Sequence, residues 1–122
     1  MAMLGGAATV LVLEDYDELR RLLIEYLEGA GYRCLAAESV EAAHKLLAER
    51  SVDAAVIDLM MPVTPGSVVA MELISKGIPV VVLTGLPRET AASWVPDGTF
   101  ILEKPVDLEI VEAALRERII PV

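Results

Sequence analysis

Four short stretches of this chain are apolar at nearly every position rather than at every second one: 9–13 (TVLVL), 54–57 (AAVI), 79–83 (PVVVL) and 99–102 (TFIL). A strand with one wet face alternates apolar and polar residues, so continuous runs of this length call for cover on both faces. A fifth, weaker run at 32–37 carries Arg33 and suits the edge of the same sheet. Hydrophobic residues make up 55% of the chain and aromatics only 4%, so the core must be filled by Val, Leu, Ile, Ala and Met rather than by rings.

The intervals between these runs have helical spacing. Leu19, Leu22, Leu23, Tyr26 and Leu27 recur three and four apart, with Asp17 and Glu18 before them and Gly29 and Gly31 after, which predicts an amphipathic helix. Ser39 is a good N-cap for a second helix that would bury Val40, Ala43, Leu46 and Leu47. A third is predicted over 67–76, and a last from Asp107, with Leu108, Val111, Leu115 and Ile119 along one stripe. Around Ala91 and Trp94, Pro87 and Pro96 leave room for about two turns. Such strand–helix alternation, with right-handed crossovers, gives an α/β fold: one doubly wound, five-stranded parallel sheet with helices on both faces.

The length of 122 residues fits one domain, read as a disordered or expression-derived tail over 1–8 and a folded unit over 9–122. A net charge of −9 argues against a nucleic-acid or membrane surface, which needs clustered Lys and Arg, and favours a protein partner. The lone Cys34 reads as an inert core thiol in a reducing compartment. The first basic residue is Arg20, so the start lacks the pattern of a secretory signal, and no apolar run approaches the ~18 residues of a membrane span. A cytoplasmic domain is expected; its oligomeric state is not legible.

Ligands of open parallel sheets gather at the carboxyl ends of the strands. Here those ends carry Glu14 and Asp15, Asp58, Thr84 and Gly85, and Lys104 before Pro105. Crowded carboxylates repel, and the cluster is tolerable when a divalent cation or the lysine neutralises it. Oxygen donors of this kind suit Mg²⁺, which binds through one or two carboxylates together with phosphate oxygens.

Leu-Glu-Asp at 13–15, Asp-Leu-Met-Met-Pro-Val-Thr-Pro-Gly at 58–66, Leu-Thr-Gly at 83–85 and Lys-Pro at 104–105 resemble, in that order, the signature of response-regulator receiver domains of two-component signalling, the CheY-like family. The resemblance spans about 9–119 and implies the flavodoxin-like strand order 2-1-3-4-5. It implies Asp58 as phosphoacceptor. Mg²⁺, with Mn²⁺ as a substitute, would be held by Asp15, by Glu14 directly or through water, by Asp58, and by the backbone carbonyl of Met60. Thr84, Gly85 and Lys104 would hold phosphoryl oxygens, with the Lys104-Pro105 bond cis and the ammonium turned inward. The phosphoryl group would come from a phosphohistidine on a histidine kinase or a histidine phosphotransfer protein and be lost by slow self-hydrolysis, with no separate substrate turned over. Output would pass to a protein or a covalently linked domain; a stand-alone regulator and a piece of a hybrid sensor kinase both fit. Pro62 is read as ending the third strand, and Gly66 as supplying φ > 0 before the third helix.

One position departs from the family pattern. The aromatic that family members carry three residues before the lysine, on the outward side of strand five, is Ile101 here, which puts the usual switch with Thr84 in doubt; Phe100, one residue earlier, should face the other way. Short third and fourth helices would also alter the output face. His44, beside Lys45, reads as solvated, and Trp94 as a packing or interface residue. A haloacid-dehalogenase-type phosphatase would need a second Asp at position 60, which is Met. A flavodoxin-like cofactor module would need a phosphate-cradling loop where the acidic pair stands. A degenerate receiver, acting only as an interaction module, usually lacks one of the charged residues, and none is missing.

Overall fold

The computed structural model describes residues 8–119. Five strands, β1 (Thr9–Leu13), β2 (Arg33–Ala37), β3 (Ala54–Asp58), β4 (Val80–Thr84) and β5 (Phe100–Glu103), alternate with five helices, α1 (Asp17–Gly29), α2 (Val40–Glu49), α3 (Ser67–Ser75), α4 (Arg88–Ala92) and α5 (Leu108–Arg118). The strands form one sheet in the order β2-β1-β3-β4-β5, and every pairing is parallel. This is the α/β topology that the continuous apolar runs require, with β3 and β4 buried at every position.

Side-chain alternation divides the core into two layers. Val10 and Val12 of β1 pack with Leu23 and Leu27 of α1 and Val111 and Leu115 of α5. Leu11 and Leu13 turn the other way, into a layer with Val40 and Ala43 of α2, Val69 and Leu73 of α3, and Ala91 of α4. Each fully buried Leu contributes roughly 1.5–3 kcal/mol, and truncating one such as Leu27 to Ala should cost about 2–5 kcal/mol with its cavity term.

Local chemistry sets the helix ends. The Ser39 hydroxyl accepts the Ala42 N–H at 3.1 Å, and Asp107 Oδ1 accepts the Glu109 N–H at 2.9 Å. α1 starts on Asp17 and Glu18, which complement its dipole without a side-chain cap. It buries Leu23 and Leu27, whereas Leu22 and Tyr26, from the same predicted stripe, are exposed.

Several expectations change. α4 has only five residues, and Trp94 lies beyond it, partly exposed. Cys34 is only partly buried, because β2 is an edge strand; burial and, second, the Glu28 charge push its thiol up to about 12, so it is unreactive without being core. His44 is solvated, but its Nε2 lies 2.8 Å from Glu72 Oε1 and links α2 to α3. Residues 1–7 of the expected tail lie outside the described residues, whereas Ala8 is buried and its carbonyl accepts the Arg33 N–H at 2.9 Å.

Candidate functional site

β1, β3, β4 and β5 end together, and their polar termini form a cleft of about 660 Å³ lined by Glu14, Asp15, Asp58, Met60, Gly85 and Lys104. Glu14, Asp58 and Thr84 are buried, and they are the only buried polar side chains among the described residues. One carboxylate oxygen from each of Glu14, Asp15 and Asp58 lies within 4.8 Å of the other two, with Asp15 the most exposed of the three.

Lys104 reaches this cluster from β5 across a cis bond to Pro105. Its Nζ donates to Asp58 Oδ2 at 3.1 Å and to Glu14 Oε2 at 3.3 Å. Glu14 Oε1 is also 3.1 Å away, but the ammonium does not donate along that line, so this buried oxygen has no hydrogen-bond partner. Asp58 Oδ1 accepts the Met60 N–H at 3.0 Å, and Glu14 Oε2 accepts the Tyr16 N–H at 3.1 Å. The Thr84 hydroxyl accepts the Leu86 N–H at 2.9 Å, and the Thr84 carbonyl accepts the Lys104 N–H at 2.7 Å.

One ammonium does not balance three acids. Burial, and second the Asp58 charge, push the Glu14 carboxyl up to about 7. Burial also raises Asp58, with Lys104 opposing the shift. For Lys104 itself burial works downward, but the Asp58 and Glu14 carboxylates outweigh it and hold the ammonium above its usual value. The surplus negative charge, the oxygen-only donor set and the unpartnered Glu14 Oε1 all fit a hard divalent cation such as Mg²⁺.

The loop after β3 corrects two expectations. The strand ends at Asp58, four residues before Pro62. Gly66 has φ −62°, an ordinary helical value; glycine is required because a Cβ there would lie 1.9 Å from the Asp58 carbonyl oxygen. The left-handed residue is Val63, at φ 70° and 99% exposed, within a turn where the Thr64 N–H bonds the Pro62 carbonyl at 2.8 Å. A Cβ on Gly85, by contrast, would meet open space.

Ile101 is not on the outside of β5. It is 4% exposed and shares a cluster with Val82, Ala91 and Val95, because α4 covers that face. Phe100 does face the opposite layer, where Arg118 stacks 4.0 Å above its ring centroid. Two arginines outside the strand-end motifs also bind backbone carbonyls. Arg20 Nη1 donates to the Glu14 carbonyl at 2.9 Å, and Arg88 Nη1 donates to the Ile101 carbonyl at 2.8 Å. The spacing of Asp17 and Arg20 signals a helical ion pair, but no spacing rule signals a bond to a loop carbonyl.

A parallel sheet with an acidic cleft and one inward lysine at its carboxyl edge defines a class of small α/β modules, and comparison with known proteins places the chain within it. Residues 10–116 match the response regulator receiver domain, and the chain belongs to that family. It is 34% identical over 85 residues to the phosphate regulon transcriptional regulatory protein PhoB of Pseudomonas aeruginosa, a match covering 66% of this chain and 37% of that protein. The chain thus spans about a third of the length of the curated relatives it matches. The response regulator TrrA of Thermotoga maritima, solved in complex with Mg²⁺–BeF, superposes with a TM-score of 0.77 at 27% identity, covering 91% of this chain and 98% of that one. A Burkholderia pseudomallei response regulator, solved with a phosphorylated aspartic acid and a calcium ion, gives 0.78 at 28% identity, covering 88% and 66%. No helix among the described residues is long and apolar enough to cross a membrane.

Proposed function

We propose that this receiver domain accepts a phosphoryl group on Asp58 from a phosphohistidine of a histidine kinase or histidine phosphotransfer protein. The observation that carries the reading is the convergence of Lys104 Nζ, at 3.1 Å, on buried Asp58, with Glu14 and Asp15 alongside. One Asp58 oxygen forms the new O–P bond as the donor P–N bond breaks and its electron pair leaves on the imidazole. Met60 N–H orients the carboxylate through Oδ1, while Lys104, the Thr84 hydroxyl and the Gly85 N–H receive the phosphoryl oxygens. Glu14, Asp15, Asp58 and the Met60 carbonyl would hold Mg²⁺, or Mn²⁺ in its place, and the ion would supply charge neutralisation.

The exposed apolar side chains of Tyr16, Leu22 and Met60 near the cleft support a protein donor rather than a nucleic acid, as does the net charge of −9. The domain works in the cytoplasm as a signalling phosphoacceptor without separate turnover, and its signal passes to a protein or a linked domain. The test is intact-mass analysis after incubation with acetyl phosphate. One phosphate should be added only when Mg²⁺ or Mn²⁺ is present, and none in Asp58→Asn; equal labelling of that variant would overturn the assignment.

A further inference from the structure

We propose that Arg20 is a positioning residue for the acidic cluster, fixing the peptide between Glu14 and Asp15 so that both carboxylates face Asp58. The proposal rests on the reading of these acids as a divalent-cation site and adds a residue outside it.

The loop between β1 and α1 carries two of the three carboxylates and is only three residues long. It begins where the β1–β2 ladder stops, at the Leu13–Ala37 pair. The Glu14 N–H still reaches the Ala37 carbonyl at 3.1 Å, but the Glu14 carbonyl has no strand to pair with and takes Arg20 Nη1 at 2.9 Å instead. The other arm of the guanidinium, Nη2, is held by Asp17 Oδ1 at 2.6 Å, so the fork is oriented from α1. Burial separates this arginine from its neighbour: the Arg20 side chain is 18% exposed, against 59% for Arg21. Among the described residues the Asp15 side chain has no hydrogen-bond partner, so its aim depends on the backbone that Arg20 holds.

Charge and positioning act in opposite directions here. Removing a cation beside a divalent-ion site should tighten metal binding if the guanidinium acts through its charge alone. Loss of positioning should weaken binding. A role only in the stability of α1 should move the melting temperature and leave metal affinity alone.

The experiment titrates the 122-residue chain with MgCl₂, followed by amide shifts, and with MnCl₂, followed by electron paramagnetic resonance. Arg20→Ala is expected to weaken both ions about tenfold, the lower end of what losing a partner behind a metal ligand costs. Arg20→Lys keeps the charge and loses the fork, so it lacks the relief that charge removal gives Arg20→Ala and should weaken binding at least as much. Unchanged or tighter binding in Arg20→Ala, alongside weaker binding in Asp15→Asn, would overturn the proposal and leave the metal site standing. Unchanged binding in Asp15→Asn would remove the metal-site reading, and this proposal with it. Should Arg20→Ala fail to fold, Arg20→Lys decides: weaker binding supports the role and wild-type binding overturns it.

Discussion

The Arg88 guanidinium donates to the Ile101 carbonyl at 2.8 Å, while the Arg88 N–H donates to Glu103 Oε2 at 3.1 Å. One residue thus clamps the start of a five-residue helix to the last strand of the sheet at two points. A helix this short has no stability of its own. β5 pairs only with β4, and an edge strand left bare invites pairing with another chain.

Arg88→Met should therefore loosen α4 and β5 together while keeping most of the apolar stem. Loss of a charged donor to a backbone carbonyl at a wet edge is expected to cost about 1–2 kcal/mol. Urea unfolding measures the loss, and faster amide exchange confined to Arg88–Ala92 and Phe100–Glu103 would locate it. Uniform acceleration across the sheet would count against a local clamp.

Gly66→Ala and Gly85→Ala should separate two glycines that look alike in sequence. The first places a methyl 1.9 Å from the Asp58 carbonyl oxygen, a backbone atom of β3 that cannot swing away. A loss of roughly 1–3 kcal/mol or more, with slower phosphorylation, is expected. At Gly85 the methyl meets open space and stability should be unchanged within about 0.5 kcal/mol. Chemical denaturation of both variants under one condition is the check.

Val63 offers the reverse case. Its φ of 70° strains a β-branched residue, and at 99% exposure its side chain provides no compensating burial. Val63→Gly, which has no Cβ to clash in the γ-turn closed by the Thr64 N–H and the Pro62 carbonyl, should stabilise the domain by roughly 0.5–1 kcal/mol. An unchanged or lower urea midpoint would refute this.

The strands, their parallel arrangement and the four strand-end clusters are legible because continuous apolar runs, strand–helix alternation and charged residues after such runs each have one economical explanation, whereas the strand order follows only from the resemblance to receiver domains. The features that leave no trace in the sequence depend on contacts rather than periods. Residue type alone makes Gly66 a φ > 0 position, whereas its reason is the carbonyl beneath it. For Ile101, alternation tells which face the residue takes but not whether a one-turn helix covers that face. Leu22 and Tyr26 fit the stripe of α1 by spacing, yet its buried seam is narrower and ends at Leu23 and Leu27. Arg20 and Arg88 bind carbonyls, and a backbone acceptor leaves no mark in the sequence.

Glu14 should make the metal-free fold lose stability as pH rises. Its carboxyl titrates near 4.5 when free and at about 7 in the fold, raised by burial and then by Asp58. Between these values the native state holds a proton that the unfolded chain has released, so stability falls with rising pH by at most about 1.4 kcal/mol per unit for this one group. Asp58, also raised, acts in the same direction. Lys104 is raised as well, so its favourable contribution persists up to its usual 10.5 and is lost only above that. Thermal melts in chelator should show the decline from about pH 5 to pH 7. Excess Mg²⁺ should offset it, because the ion requires the ionised carboxylate. Glu14→Gln should flatten it, and a slope that persists undiminished in this variant would assign the proton elsewhere.

Thr84 should carry the signal by a route other than a swinging side chain. Its hydroxyl already accepts the Leu86 N–H at 2.9 Å, and a hydroxyl has one donor besides two acceptor sites. A phosphoryl oxygen on Asp58 can therefore take the free O–H while the Leu86 bond persists, drawing the turn after β4 toward the site. That turn leads through Pro87 into Arg88, which grips the Ile101 carbonyl. Ile101 itself is packed beneath α4 and is stiff at its first torsion, so no rotamer change is available to enlarge the response. Phosphorylation shifts the output face only by the free-energy difference it creates between two states, and here that difference lacks the aromatic contribution. Amide shifts with and without beryllofluoride should be large around Asp58 and Thr84 and modest across α4, β5 and α5. Thr84→Ala should keep phosphorylation of Asp58, cost about 1 kcal/mol through the unpaired Leu86 N–H, and lose most of the distant response, whereas Thr84→Ser should retain it. A large rearrangement at Ile101 that survives in Thr84→Ala would show that the coupling bypasses this hydroxyl.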